Sequence, residues 1–199
     1  MSLEGGRDET WVGLALLVAL GVALGAVNVA ANFGLVPGSF WLAKIVGVEW
    51  GWLIAGFAAC WAGHTWRQAF TRSMTLLLPA VIVYVIADAM MIARAVNGTT
   101  PGPAAVIIEG MFWSVAAAIA SLGLATVRRL IRVDGLIGVL AAAALPAYIA
   151  YSAWSTRRDL ARTGIDDPAM VDVATVLMPA AVVAAIVAAA ARGLAPRQR

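Results

Sequence analysis

Long apolar runs separated by short polar stretches dominate the chain. Six of these runs approach the ~20 apolar residues that a helix needs to cross a bilayer. They are Trp11–Ala31, Gly47–Trp66, Ser73–Ile92, Ala104–Val127, Leu136–Trp154 and Val173–Ala191. Lys44 and Glu49 crowd the start of the second and His64 its end; core helices of soluble proteins rarely stay free of charge over the length of the other five. The pattern predicts an all-α, polytopic membrane helix bundle with six transmembrane helices. Residues 11–191 form its single domain, and residues 1–10 and 192–199 are short tails. The longest connection, Ser155–Asp172, is polar and contains Gly164 and Pro168, which reads as a surface loop or a short interfacial helix.

Composition supports the membrane class. Of 199 residues, 62% are hydrophobic and 13% charged, with a mean hydropathy of +0.89. A soluble domain averages about 45–50% apolar and about 25% charged residues. The net charge of +3 does not point to nucleic acid, because the basic residues sit in short clusters between apolar runs rather than in a patch with interleaved aromatics. Their distribution gives an orientation instead. Arg7, Arg67, Arg72, Arg128, Arg129, Arg132, Arg192, Arg197 and Arg199 on one side outnumber Lys44, Arg94, Arg157, Arg158 and Arg162 on the other. By the positive-inside rule both termini are cytoplasmic. Trp11, Trp41, Trp50, Trp66, Trp113 and Trp154 fall near span ends, as an aromatic belt expects. Arg7 is outnumbered by Glu4, Asp8 and Glu9 and the run after it is long, so the first span is expected to be retained rather than cleaved as a signal peptide. The arginine-over-lysine bias and abundant alanine suggest a bacterial plasma-membrane protein.

Membrane helices associate through close packing, which favours small residues at their contacts. Gly47, Gly51, Ala55, Ala59 and Gly63 form such a row in the second span. The first span has two rows, Ala15-Ala19-Ala23 and Gly21-Gly25, and the fourth has Gly110, Ser114 and Ala118. These rows pack helices within the chain, or one of them docks a partner. Pro79, Pro146 and Pro179 each remove a helical N–H, which predicts kinks. Thr75-Leu-Leu-Leu-Pro79-Ala80 resembles Thr175-Val-Leu-Met-Pro179-Ala180, and Trp11, Leu20, Gly21 and Ala23 align with Trp113, Leu122, Gly123 and Ala125. The repeat reads either as an inverted duplication of three spans, a plan common in transporters, or as chance likeness among Ala/Leu/Val-rich helices.

The candidate chemistry lies on the outer side. A carboxylate in hydrocarbon costs at least ~2.5 kcal/mol and usually faces a bundle interior or cavity. Asp88 lies ~22 Å along the third span from Ser73, and Glu109 lies ~8 Å into the fourth span from Ala104. Asn28 and Asn32 occupy the outer part of the first span on the face of Gly21 and Gly25, and Tyr84 shares a face with Asp88. If the helices converge, Asn28, Asn32, Tyr84, Asp88 and Glu109 line a ligand-binding pocket open to the exterior. Gly34–Val46 and Arg94–Pro103 are the loops placed to cover it. The competing reading pairs Asp88 or Glu109 with Arg94 near the interface and leaves the asparagines as interhelical hydrogen-bond glue. Glu49, Tyr148, Tyr151 and Ser152 belong to the same side, and His64 to the opposite rim.

No zinc-protease, nucleophile-elbow or phosphate-loop motif occurs. Cys60 is the single cysteine and His64 the single histidine, so neither an intrachain disulfide nor bis-histidine haem ligation is available. No catalytic residue, metal site or cofactor is expected. An Asp–Glu pair can share a proton, but without a nucleophile or metal beside it the chain is read as a non-enzyme.

Leu35-Val-Pro-Gly38, Trp41-Leu-Ala43, Trp50–Gly63 and Tyr84–Asp88 resemble a family of uncharacterised actinobacterial six-span integral membrane proteins, a domain of unknown function. That likeness implies the six-span fold and carries no activity. More loosely, six spans in about 200 residues with cytoplasmic termini and an outward polar pocket are similar to the substrate-binding subunits of energy-coupling-factor transporters. This implies a multi-pass protein that binds or transports a small solute, with a partner supplying energy. The alternative is a non-catalytic structural or interaction subunit. The expected partners are the lipid bilayer, a small-molecule solute, and a membrane-protein partner or second copy.

Overall fold

A computed structural model describes residues 5–95 and 102–194. Among them there are seven helices and no strand: α1 (Gly5–Asn32), α2 (Ser39–Val46), α3 (Glu49–Trp61), α4 (Trp66–Ala95), α5 (Pro103–Ile131), α6 (Leu136–Thr163) and α7 (Pro168–Leu194). Five are long and apolar enough to cross a membrane, and the pair α2–α3, bent by 58°, makes a sixth if it counts as one span. This is the architecture of a multi-pass membrane protein. Pro79, Pro146 and Pro179 lie inside α4, α6 and α7, each of which continues past its proline. The chain divides into two compact units, residues 1–125 and 126–199.

In the N-terminal unit, α1 approaches α4 through two glycines. A Cβ at Gly21 would strike the carbonyl oxygen of Leu76, and one at Gly25 the carbonyl oxygen of Ala80. Both pairings advance by four residues in the same direction, so α1 and α4 run parallel. On the other flank of α4, α3 is antiparallel: Trp52 meets Tyr84, Gly56 faces Leu77 and Ser73, and Gly63 abuts Ala69. The first part of α5 is also antiparallel to α4, with Ser121 Oγ donating to Ser73 Oγ at 3.0 Å between buried side chains and Gly110 facing Val85. Leu76, Leu77, Val81 and Val85 of α4 form the centre of the core, with Ala59 of α3 and Ala117 of α5.

Two parallel helices joined through one segment require that segment to return the chain over the same height. The bent pair α2–α3 makes that return. The sequence pattern predicts a loop over Gly34–Val46 and a span over Gly47–Trp66. Instead Ser39–Val46 is helical, the chain breaks at Gly47-Val48, and α3 is 13 residues, ~20 Å, long. The break is closed from inside. Trp50 is 2% exposed, and its indole Nε1 donates to the Lys44 carbonyl at 3.2 Å, satisfying one of the carbonyls left open where α2 ends. Gly51 sits where a Cβ would lie 2.6 Å from the Ile45 carbonyl oxygen, so the chain can turn back on itself only without a side chain there.

The C-terminal unit is built on α6 against α7. α6 extends past the expected end of its span at Trp154 to Thr163, leaving only residues 164–167 before α7. Gly164, at φ 68°, ends α6 in the left-handed region that favours glycine. At the other end of the unit, Arg192 of α7 reaches the turn between α5 and α6. Its Nε donates to Ile131 O at 2.6 Å and its Nη2 to Val133 O and Asp134 Oδ1, both at 3.0 Å. The guanidinium thereby satisfies the last carbonyl of α5, which has no partner within its own helix.

Candidate functional site

The five polar residues singled out in the sequence come from three helices of the N-terminal unit, and the fold draws them to one level. On α1, Asn28 is 2% exposed and accepts at Oδ1 a hydrogen bond from Asn32 Nδ2 at 3.2 Å. Asn32 also reaches the Tyr84 hydroxyl on α4. Tyr84 in turn lies within the electrostatic field of Asp88, one turn further along α4, and of Glu109 on α5. The two carboxylates are near enough for their charges to repel one another. The parallel arrangement of α1 and α4 makes this possible, because it carries the late residues of both helices to the same end. α5 returns antiparallel, so its early Glu109 arrives at that end as well.

The helix break completes the surroundings. A Cβ at Gly47 would lie 3.1 Å from Asn28 Oδ1 and 3.2 Å from Asn32 Oδ1, which places the α2–α3 break directly against the asparagine pair. Trp52 of α3 meets the Tyr84 ring edge-on, with centroids 6.3 Å apart and planes at 87°. Neither Gly47 nor Trp52 is among the site residues the sequence picks out, although Gly47 opens a small-residue row. Gly47 carries a usable signal, since it separates Lys44 from Glu49 in a stretch otherwise apolar. Trp52 carries none, because an aromatic at a membrane helix end reads first as belt.

Burial falls across the group. Asn28 is enclosed, Tyr84 and Asp88 are half-buried, and Asn32 and Glu109 are exposed. Among the described residues no ion pair joins Arg94 to Asp88 or Glu109, and Arg94 is exposed. The interfacial pairing is therefore not formed in this structure. Of the two segments placed to cover the site, 96–101 lies outside the described residues, while the other contains α2, which packs beside α1. Also among the described residues, no group of three or more His, Cys, Asp and Glu side chains is placed to hold a metal ion.

An apolar groove of ≈ 450 Å³ runs between α4 and α5, lined by Ile82, Ile86, Ile107 and Met111 among others. None of the five polar residues lines it. Tyr84 turns instead toward Trp52 of α3 and Asn32 of α1.

Comparison with protein-family models, with curated proteins and with solved structures found no match. The functional reading therefore rests on the geometry just described.

Proposed function

We propose that the chain is a bacterial plasma-membrane protein with six crossings and cytoplasmic termini, and that it binds or transports a small, positively charged solute at the Asn28–Asn32–Tyr84–Asp88–Glu109 cluster. The observation that carries this reading is that Asp88 and Glu109 lie within electrostatic reach of one another, with no ion-paired arginine among the described residues, at the end of α4 where the α2–α3 bend abuts the asparagine pair. Charge in an apolar medium is costly unless compensated. A bound cation supplies the compensation, and the asparagine amides and the tyrosine hydroxyl offer neutral oxygens to it. Interrupted helices at membrane depth are tolerated where they line a cavity, and they are a recurrent way of building solute sites.

One observation favours a second reading. Glu109 is exposed in the chain alone. A carboxylate that the chain leaves uncovered fits a structural or interaction subunit whose partner covers it. Thermal unfolding of the purified protein across sodium, potassium, ammonium and small organic amines separates the two. On the solute reading, one class of cation at about 100 times its Kd stabilises the fold by about 2.7 kcal/mol. Asp88→Asn and Glu109→Gln each abolish that shift and leave the cation-free protein folded. If no cation stabilises the wild type and a membrane protein co-purifies in fixed stoichiometry through Glu109, the interaction reading replaces it.

A further inference from the structure

The exposed face of α6 carries chemistry that the polar cluster does not use. Tyr148, Tyr151, Trp154, Arg158 and Arg162 follow one another at three- and four-residue spacing, which places them on one stripe of the helix. All five are exposed, whereas Ile149, Ala150, Ser152 and Ala153 on the opposite face are buried. The apolar run of this span ends at Trp154, so by the sequence pattern the three aromatics fall where tyrosine and tryptophan anchor a helix at the headgroup boundary. α6, at 28 residues and ~42 Å, outruns the ~30 Å hydrocarbon core, and its arginines follow the end of the apolar run, which sets them on the water side of that boundary. The Tyr151 and Trp154 rings are 5.9 Å apart, and the Arg158 guanidinium stands 5.4 Å from the Trp154 ring centre. Among the described residues, no ion pair engages Arg157, Arg158 or Arg162, although Asp159 lies at the edge of the stripe.

We propose that this face of α6 binds an anionic phospholipid, with Arg158 and Arg162 holding the headgroup phosphate and Tyr148 and Tyr151 flanking its upper acyl chain. The arrangement matches each part of such a lipid in order. Guanidinium groups make paired, charge-assisted hydrogen bonds to phosphate oxygens. The cation–π contact with Trp154 restrains Arg158, and the aromatic surface one to three turns back is apolar. A zwitterionic lipid presents a phosphate masked by its own cation and gains less from two arginines. The surface is independent of the Asp88–Glu109 cluster and stands or falls without it.

The test is native mass spectrometry of the full chain in micelles containing equal amounts of phosphatidylglycerol and phosphatidylcholine. The wild type should retain phosphatidylglycerol at least roughly tenfold over phosphatidylcholine. The double variant Arg158→Gln/Arg162→Gln should lose that preference while melting at the same temperature as the wild type in phosphatidylcholine nanodiscs. Arg67→Gln/Arg129→Gln, which alters arginines elsewhere, should keep it. Equal retention of both lipids by the wild type overturns the proposal. So does a preference that survives the α6 double variant or disappears in the control. Displacement of bound phosphatidylglycerol by millimolar inorganic phosphate also overturns it, since the acyl contacts would then contribute nothing.

Discussion

Trp50 shows how one side chain settles the course of the backbone around it. An indole that is almost wholly enclosed fills the space under the helix break, and its one N–H meets the Lys44 carbonyl that the end of α2 leaves open. Trp50→Phe keeps most of the apolar contact and removes the donor. It should destabilise the protein by about 1 kcal/mol, the usual cost of one net hydrogen bond. Denaturant unfolding in detergent measures this, and amide exchange should rise first over residues 39–51. The site residues divide along the same line. Asp88 and Glu109 are legible in the sequence because a carboxylate in an apolar run is costly and therefore informative. Asn28, Asn32 and Tyr84 are legible through helical periodicity once the carboxylates are noticed. Trp52 is not, because its part depends on a bend that periodicity does not encode, and Gly47 is marked only by the charges that flank it.

Between elements, similar small-residue rows in α1 meet different fates. Gly21 and Gly25 lie against the backbone of α4, while Ala15, Ala19 and Ala23 face outward and are exposed. In one dimension the two rows are equivalent. Which of them packs is decided by where α4 lies. Gly25→Leu should therefore force α1 off the Ala80 carbonyl and cost at least about 2 kcal/mol, since backbone cannot move aside as a flexible side chain can. Ala19→Leu should change stability by less than about 0.5 kcal/mol. Parallel thermal melts of the two variants in the same detergent check the contrast; equal losses would contradict the α1–α4 contact. The likeness between Thr75–Ala80 and Thr175–Ala180 has a local counterpart, because Thr75 and Thr175 each donate to the carbonyl four residues earlier, four residues before a proline. That equivalence follows from the local sequence and needs no common origin.

Over the whole chain, the connection between α5 and α6 is held by a residue 58 to 61 positions away in sequence. Arg192 closes the C-terminal unit by capping α5 and fixing the turn that launches α6. Arg192→Gln keeps length and some polarity but cannot donate to three acceptors in the same geometry. Hydrogen exchange should accelerate over residues 131–138 and the end of α7, with the N-terminal unit unaffected. Uniform acceleration through both units would show that the clip acts globally instead. The sequence treats Arg192 as the first residue of a cytoplasmic tail, where the positive-inside rule accounts for it. Its contact with the turn is a long-range fact that no local pattern carries.

By itself the sequence determines that this is an all-helical membrane protein, where its apolar runs lie and which charges are out of place in them. These follow from the free energy of moving side chains between water and hydrocarbon, a property each residue carries wherever the chain takes it. Tertiary structure decides the rest: that α1 and α4 run parallel, that the chain between them is a helix pair bent by 58°, and that the polar residues of three helices come to one end beside the bend. Those outcomes depend on which small faces interlock and which backbone carbonyls find donors, and such contacts exist only after the helices have chosen their neighbours.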